Sequence, residues 1–171
     1  VLLQIIFIIL VLRLFLIGEL ILVLYQIGFI AAAELIIFVT KRKIKTDEIR
    51  LVMWILIIVH EIGLLGLYDL YGFDTLMHVS WGLLLGLIFA QFLEKNNVRG
   101  KRLWVSTILL VSIIGLGWEI AEFSWDYLFE KNSIFGLAQP SLFDTIKDIT
   151  TNIIGAIIGF FASKKFNKNI I

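Results

Sequence analysis

The sequence predicts an all-α polytopic membrane protein, a six-transmembrane-helix bundle with both termini cytoplasmic. Three observations predict it. Of 171 residues, 60% are hydrophobic and 17% charged, with a mean hydropathy of +0.97, whereas soluble domains sit near half apolar and a quarter charged. The apolar residues come in runs close to the roughly 20 that a helix needs to cross the hydrocarbon layer. The basic residues gather on one side of those runs. The same composition excludes a disordered chain. With no cysteine, disulfides, thiolate metal sites and cysteine nucleophiles are excluded as well. A net charge of +1 argues against nucleic acid as a partner.

Taken in order, the first two spans, near 1–17 and 19–39, are almost fused. One helix over both would be about 58 Å long, too long for a single crossing, so Gly18-Glu19 is read as a hairpin. Glu19 and Glu34 are read as interfacial. The third span lies near 51–68, behind the polar stretch TKRKIKTDEIR over 40–50. The short turn DLYGF precedes the fourth, near 74–93, and EKNNVRGKRL the fifth, near 104–129. The longest loop on its side, EKNSIFGLAQP over 130–140, leads into the sixth, near 141–163. No repeat or low-complexity tract interrupts the pattern, so 1–171 reads as a single transmembrane helical domain. The apolar start runs straight into further apolar sequence, and no separate signal peptide is expected.

Twelve of the 15 basic residues lie in loop 40–50, in loop 94–103 or in the tail. The opposite loops hold only Lys131, while Arg13 and Lys147 fall within spans. By the positive-inside rule both termini are cytoplasmic.

Intramembrane carboxylates are costly and mark function by default. Here the last spans carry them in a pattern. Asp74 and His78 open span 4, Glu119, Glu122 and Asp126 lie in span 5, and Asp144, Asp148 and Asn152 in span 6. At 100° per residue the span 5 carboxylates fall within about 60° of one another, and the span 6 set shares a face that Gly155 and Gly159 continue. Glycines below a polar stripe suit close helix packing, so this face is expected to point inward. Counted from the outer ends, His78, Glu122 and Asp148 lie roughly 6–10 Å deep, and Glu119 and Asn152 about 15 Å. Simpler roles exist beside these. Asp74 suits a helix N-cap, and Ser141-x-x-Asp144 a capping box. His60 and Glu61 suit a buried hydrogen-bonded pair. Arg13 and Lys147 suit snorkelling or neutralisation of a nearby carboxylate.

Three segments, FDTLMHVSWG, WEIAEFSWD and DTIKDITTNIIGA, resemble in order the signature segments of the YjdF-type family of prokaryotic inner-membrane proteins, itself distantly similar to the VanZ proteins. The resemblance covers residues 51–163 and implies a small multi-span helical fold in the prokaryotic cytoplasmic (inner) membrane. It also implies shared positions at Asp74, His78, Gly82, Glu119, Glu122, Asp126, Asp144, Asp148 and Gly155. Asn152 stands where the family often has a carboxylate. No reaction comes with the resemblance.

Two carboxylate-bearing helices facing one imidazole can build an oxygen-rich divalent metal site. The expected ligands are Asp74, Glu119, Asp126, Asp144 and Asp148, the expected metal Mg²⁺, Mn²⁺ or Zn²⁺, and the acid–base candidates His78 and Glu122. A phosphate-bearing lipid or polyprenyl substrate would suit such a centre. The alternatives are an accessory subunit whose polar cluster locks the helices, with an unknown membrane-protein partner, and a small proton-coupled transporter. Against the transporter, the chain shows no inverted repeat. Haem is not expected, because the two histidines differ in depth by about 5 Å. Membrane lipids are the expected surroundings.

Overall fold

The structure, a computed structural model, describes residues 2–16, 20–41, 44, 47–64, 66–129 and 141–168. Among these residues every regular element is helical: α1 (Leu2–Leu16), α2 (Leu20–Thr40), α3 (Asp47–Gly63), α4 (Phe73–Lys95), α5 (Gly100–Phe129) and α6 (Leu142–Lys168). Among the described residues three stretches are long and apolar enough to cross a membrane: Phe73–Lys95, Gly100–Leu128 and Leu142–Lys165. A shorter apolar helical stretch covers Gln26–Thr40. The expected hairpin at Gly18-Glu19 and the 130–140 loop lie outside the described residues.

Helix boundaries follow local chemistry. Asp47 and Glu48 occupy the first turn of α3, where carboxylates complement the positive end of the helix dipole. That helix stops at Gly63, and a short 3-10 turn over Leu67–Asp69 follows Gly66, whose φ of 123° suits glycine. The region expected as one span near 51–68 is thus a helix, a glycine break and a turn. Helix α4 is capped by Gly72 in the left-handed conformation, not by Asp74, which sits in the first turn. At the start of α6 the Asp144 amide donates to Ser141 Oγ at 3.2 Å, so Ser141 is the cap.

The chain divides into two compact units, Val1–Leu70 and Tyr71–Ile171. In the first, α1, α2 and α3 pack on one another around Phe7, Ile37, Met53 and the fully buried Ile57. Phe7 and Trp54 meet edge to face at 5.9 Å. Glu34 joins α2 to α3, accepting from Arg50 Nε at 3.1 Å and Trp54 Nε1 at 3.2 Å. His60 Nδ1 lies 2.6 Å from the Tyr68 hydroxyl, so its partner is that tyrosine. Glu61 is buried, and its Oε1 has no hydrogen-bond partner among the described residues.

In the second unit α4 makes its largest contact with α6, and α5 packs on both. The reason is glycine. A Cβ at Gly82 or Gly86 of α4 would collide with the carbonyl oxygen of Asn152 or Ala156. A Cβ at Gly155 or Gly159 of α6 would strike that of Val79 or Leu83. Glycines four apart on both helices let the backbones touch, which is how helices associate where lipid removes the hydrophobic drive. At the far end Glu94 accepts from Lys164 Nζ at 2.7 Å and Arg99 Nη1 at 3.1 Å, over the core of Ala90, Leu103 and Phe160.

Candidate functional site

The α4–α6 contact sets the site. Because the backbones touch at Gly82 and Gly155, the polar turns next to them, Asp74–His78 on α4 and Asp144–Asn152 on α6, are brought face to face. Four-residue spacing puts Asp74 beneath His78 and stacks Asp144, Asp148 and Asn152 on one side of α6.

His78 is held between the helices. Asn152 Nδ2 lies 3.1 Å from its Nδ1. With the amide nitrogen as donor, Nδ1 accepts and the ring proton sits at Nε2. Nε2 faces two carboxylates, Asp74 Oδ1 at 3.4 Å and Asp148 Oδ2 at 3.9 Å. The other oxygens of both face Lys147, whose Nζ lies 3.0 Å from Asp74 Oδ2 and 3.4 Å from Asp148 Oδ1. Its shortest contact, 2.6 Å, is to Asp144 Oδ1. Two carboxylates thus bridge an imidazole and an ammonium. The bridge is graded in access: the Asp148 side chain is 3% exposed, those of Lys147 and Asp74 33% and 34%.

One ligand atom each from Asp74, His78 and Asp148 lies within 4.8 Å of the others. Cis ligands held about 2.1 Å from one ion stand about 3.0–3.4 Å apart. The distances at His78 Nε2, 3.4 and 3.9 Å, approach that, and the group, which spans up to 4.8 Å, would have to draw together to hold an ion. Two carboxylate oxygens and one imidazole nitrogen suit Mg²⁺, Mn²⁺ or Zn²⁺.

Of the remaining expected residues, Glu122 and Asp144 lie beside this group. Glu122 accepts from Trp118 Nε1 at 2.7 Å, one turn back on α5, and lies within electrostatic range of His78, Glu119 and Asp74. Glu119 and Asp126 are buried on α5. Among the described residues the metal-competent group takes in none of Glu119, Glu122, Asp126 or Asp144. Asp144 connects to it through Lys147. Gly115 is a contribution that sequence reasoning missed: a Cβ there would come within 3.0 Å of Asn152 Nδ2, so the glycine leaves room for the amide that holds His78. Trp118 was missed also, although its place four residues before Glu122 was a readable signal. Gly82 and Gly86 form the same four-residue pair as Gly155 and Gly159, which was readable too.

A family model described as "Predicted membrane protein (DUF2238)" matches residues 1–169. The chain belongs to this family. No curated protein and no solved structure matches it. Together with the three long apolar helices, membership in DUF2238 makes this a membrane protein in contact with lipid. The candidate site lies wholly in helices of membrane-spanning length, within the matched residues.

Proposed function

We propose that this member of DUF2238 is a metal-dependent membrane enzyme acting on a phosphate-bearing lipid or polyprenyl group. The observation that carries the reading is the convergence of Asp74, His78 and Asp148 from two helices. A divalent cation bound there would polarise a phosphoryl oxygen or activate water. In this reading His78 is a ligand through Nε2, which faces the carboxylates; metal binding moves the ring proton to Nδ1, and the Asn152 amide turns its oxygen to accept it. Glu122 is then the acid–base candidate, and Glu119, Asp126 and Asp144 are supports of the site. The wider setting belongs to the same proposal: one six-span domain in a prokaryotic inner membrane, both termini cytoplasmic, with the site in the outer leaflet. The YjdF-type and VanZ likeness of the three motifs supports a cell-envelope role.

Titration calorimetry on the detergent-purified chain tests the centre. Wild type binds Mg²⁺ or Mn²⁺ at millimolar levels, or Zn²⁺ at micromolar, and Asp148→Asn does not. Silence from wild type would end the metal reading. Orientation is tested by Ser133→Cys in this cysteine-free chain: labelling from the outside is expected, and labelling only from the cytoplasm reverses the topology.

A second reading rests on Lys147. Its ammonium already pairs with Asp74, Asp144 and Asp148, so the cluster also makes sense as a polar lock between α4 and α6 in an accessory subunit.

A further inference from the structure

We infer that Lys147 is the resident counter-ion of the candidate centre, and that a divalent cation entering between Asp74, His78 and Asp148 displaces its ammonium onto Asp144. This rests on the metal reading above and adds how the site is regulated.

Three features of the geometry lead there. The first is the division of oxygens. Asp74 and Asp148 each turn one oxygen to His78 and the other to Lys147. A metal taking the His78-side oxygens would leave both ligand carboxylates shared with a second cation. Cations bridged by the same carboxylates repel, and a buried setting screens that repulsion little. The second is the third partner. Asp144 makes the shortest contact to Lys147 yet lies outside the ligand group, so it offers the ammonium a place to stay when the other two oxygens are drawn away. The third is freedom to move. The Lys147 side chain is 33% exposed while that of Asp148 is 3% exposed, so the lysine, on its flexible four-carbon stem, can withdraw from the buried carboxylate. Without metal, the ammonium spares the buried carboxylates from facing one another uncompensated. With metal, it becomes a free-ended cation beside the centre, held by Asp144 alone and placed to meet an anionic group.

The test is calorimetric titration of Mn²⁺ into the full chain, in five forms: wild type, Lys147→Met, Lys147→Arg, Asp144→Asn and the Lys147→Met/Asp144→Asn double variant. Removing the competing charge in Lys147→Met should tighten binding by at least about tenfold. Lys147→Arg keeps the charge and should stay near wild type. Asp144→Asn removes the retreat and should weaken binding when Lys147 is present. In the Lys147→Met background the same change should do nothing, because no ammonium remains to be housed. Should Lys147→Met fail to purify folded, Lys147→Gln supplies the neutral arm. Binding by Lys147→Met no tighter than wild type overturns the inference. So does an Asp144→Asn effect of equal size in both backgrounds, which would make Asp144 a ligand. Both results leave the metal reading standing. Absence of binding by wild type ends the metal reading and this inference together.

Discussion

The two compact units both bury polar side chains in apolar surroundings, and they treat them differently. In Tyr71–Ile171 one group of buried polar side chains reaches across helices: His78 on α4 meets Asp148 and Asn152 on α6. In Val1–Leu70 the described pairs are either near in sequence or bridge α2 to the first turns of α3 from a carboxylate that stays partly exposed. His60 pairs with Tyr68, and Glu34 with Arg50 and Trp54. Gln26, fully buried on α2, has neither amide atom hydrogen-bonded among the described residues. The difference teaches what builds a site inside a membrane. A buried polar residue is not enough; it takes polar residues at four-residue spacing on two helices, and small residues that let those helices touch.

The largest effect should come from breaking that touch. Gly155→Ala drives a methyl group into the α4 backbone and should cost about 2–3 kcal/mol. Gly28→Ala in the first unit meets open space and should be neutral or gain up to about 1 kcal/mol from better helix propensity. Denaturant unfolding in mild detergent reads both, and equal losses would undo the contrast. Next comes hydrogen bonding. Asn152→Ala strips the amide from His78 and should cost about 1–3 kcal/mol. Gln26→Leu removes a buried amide that has no hydrogen bond among the described residues, and should be neutral or stabilising by about 1 kcal/mol. A clear loss from Gln26→Leu in thermal unfolding would show that the first unit also relies on polar pairing. The smallest effect is expected for Tyr68→Phe, about 1 kcal/mol for the bond to His60. Mn²⁺ titration should be unmoved by it; a changed affinity would tie the first unit to the centre.

Much of the fold was readable because its signals are local. Apolar runs, polar loops and the lone proline already imply helices, and the starts of α4 and α6 lie within two residues of where the runs begin. The third span was harder. Its apolar pattern continues past Gly63, but Gly66 takes a φ of 123°, so the chain turns where hydrophobicity alone would carry on. Half of the site was readable as well. Asp74 with His78, and Asp144 with Asp148 and Asn152, follow from helical spacing. The span 5 carboxylates share a stripe by the same arithmetic, yet they fall outside the ligand group. Helical spacing says which residues share a face, not which neighbour that face meets.

By itself, then, the sequence determined that the chain is helical and belongs in a membrane, and that its carboxylates lie in stripes. Those are properties of composition and of the 3.6-residue turn, which need no knowledge of neighbours. Only the tertiary structure decided that α4 meets α6 rather than α5 most closely, through facing glycine pairs that allow the two backbones to touch. It also decided that each ligand carboxylate splits its oxygens between His78 and Lys147. Such a division depends on distances between side chains far apart in sequence, Asp74 with Lys147 and His78 with Asp148, and no local pattern carries them.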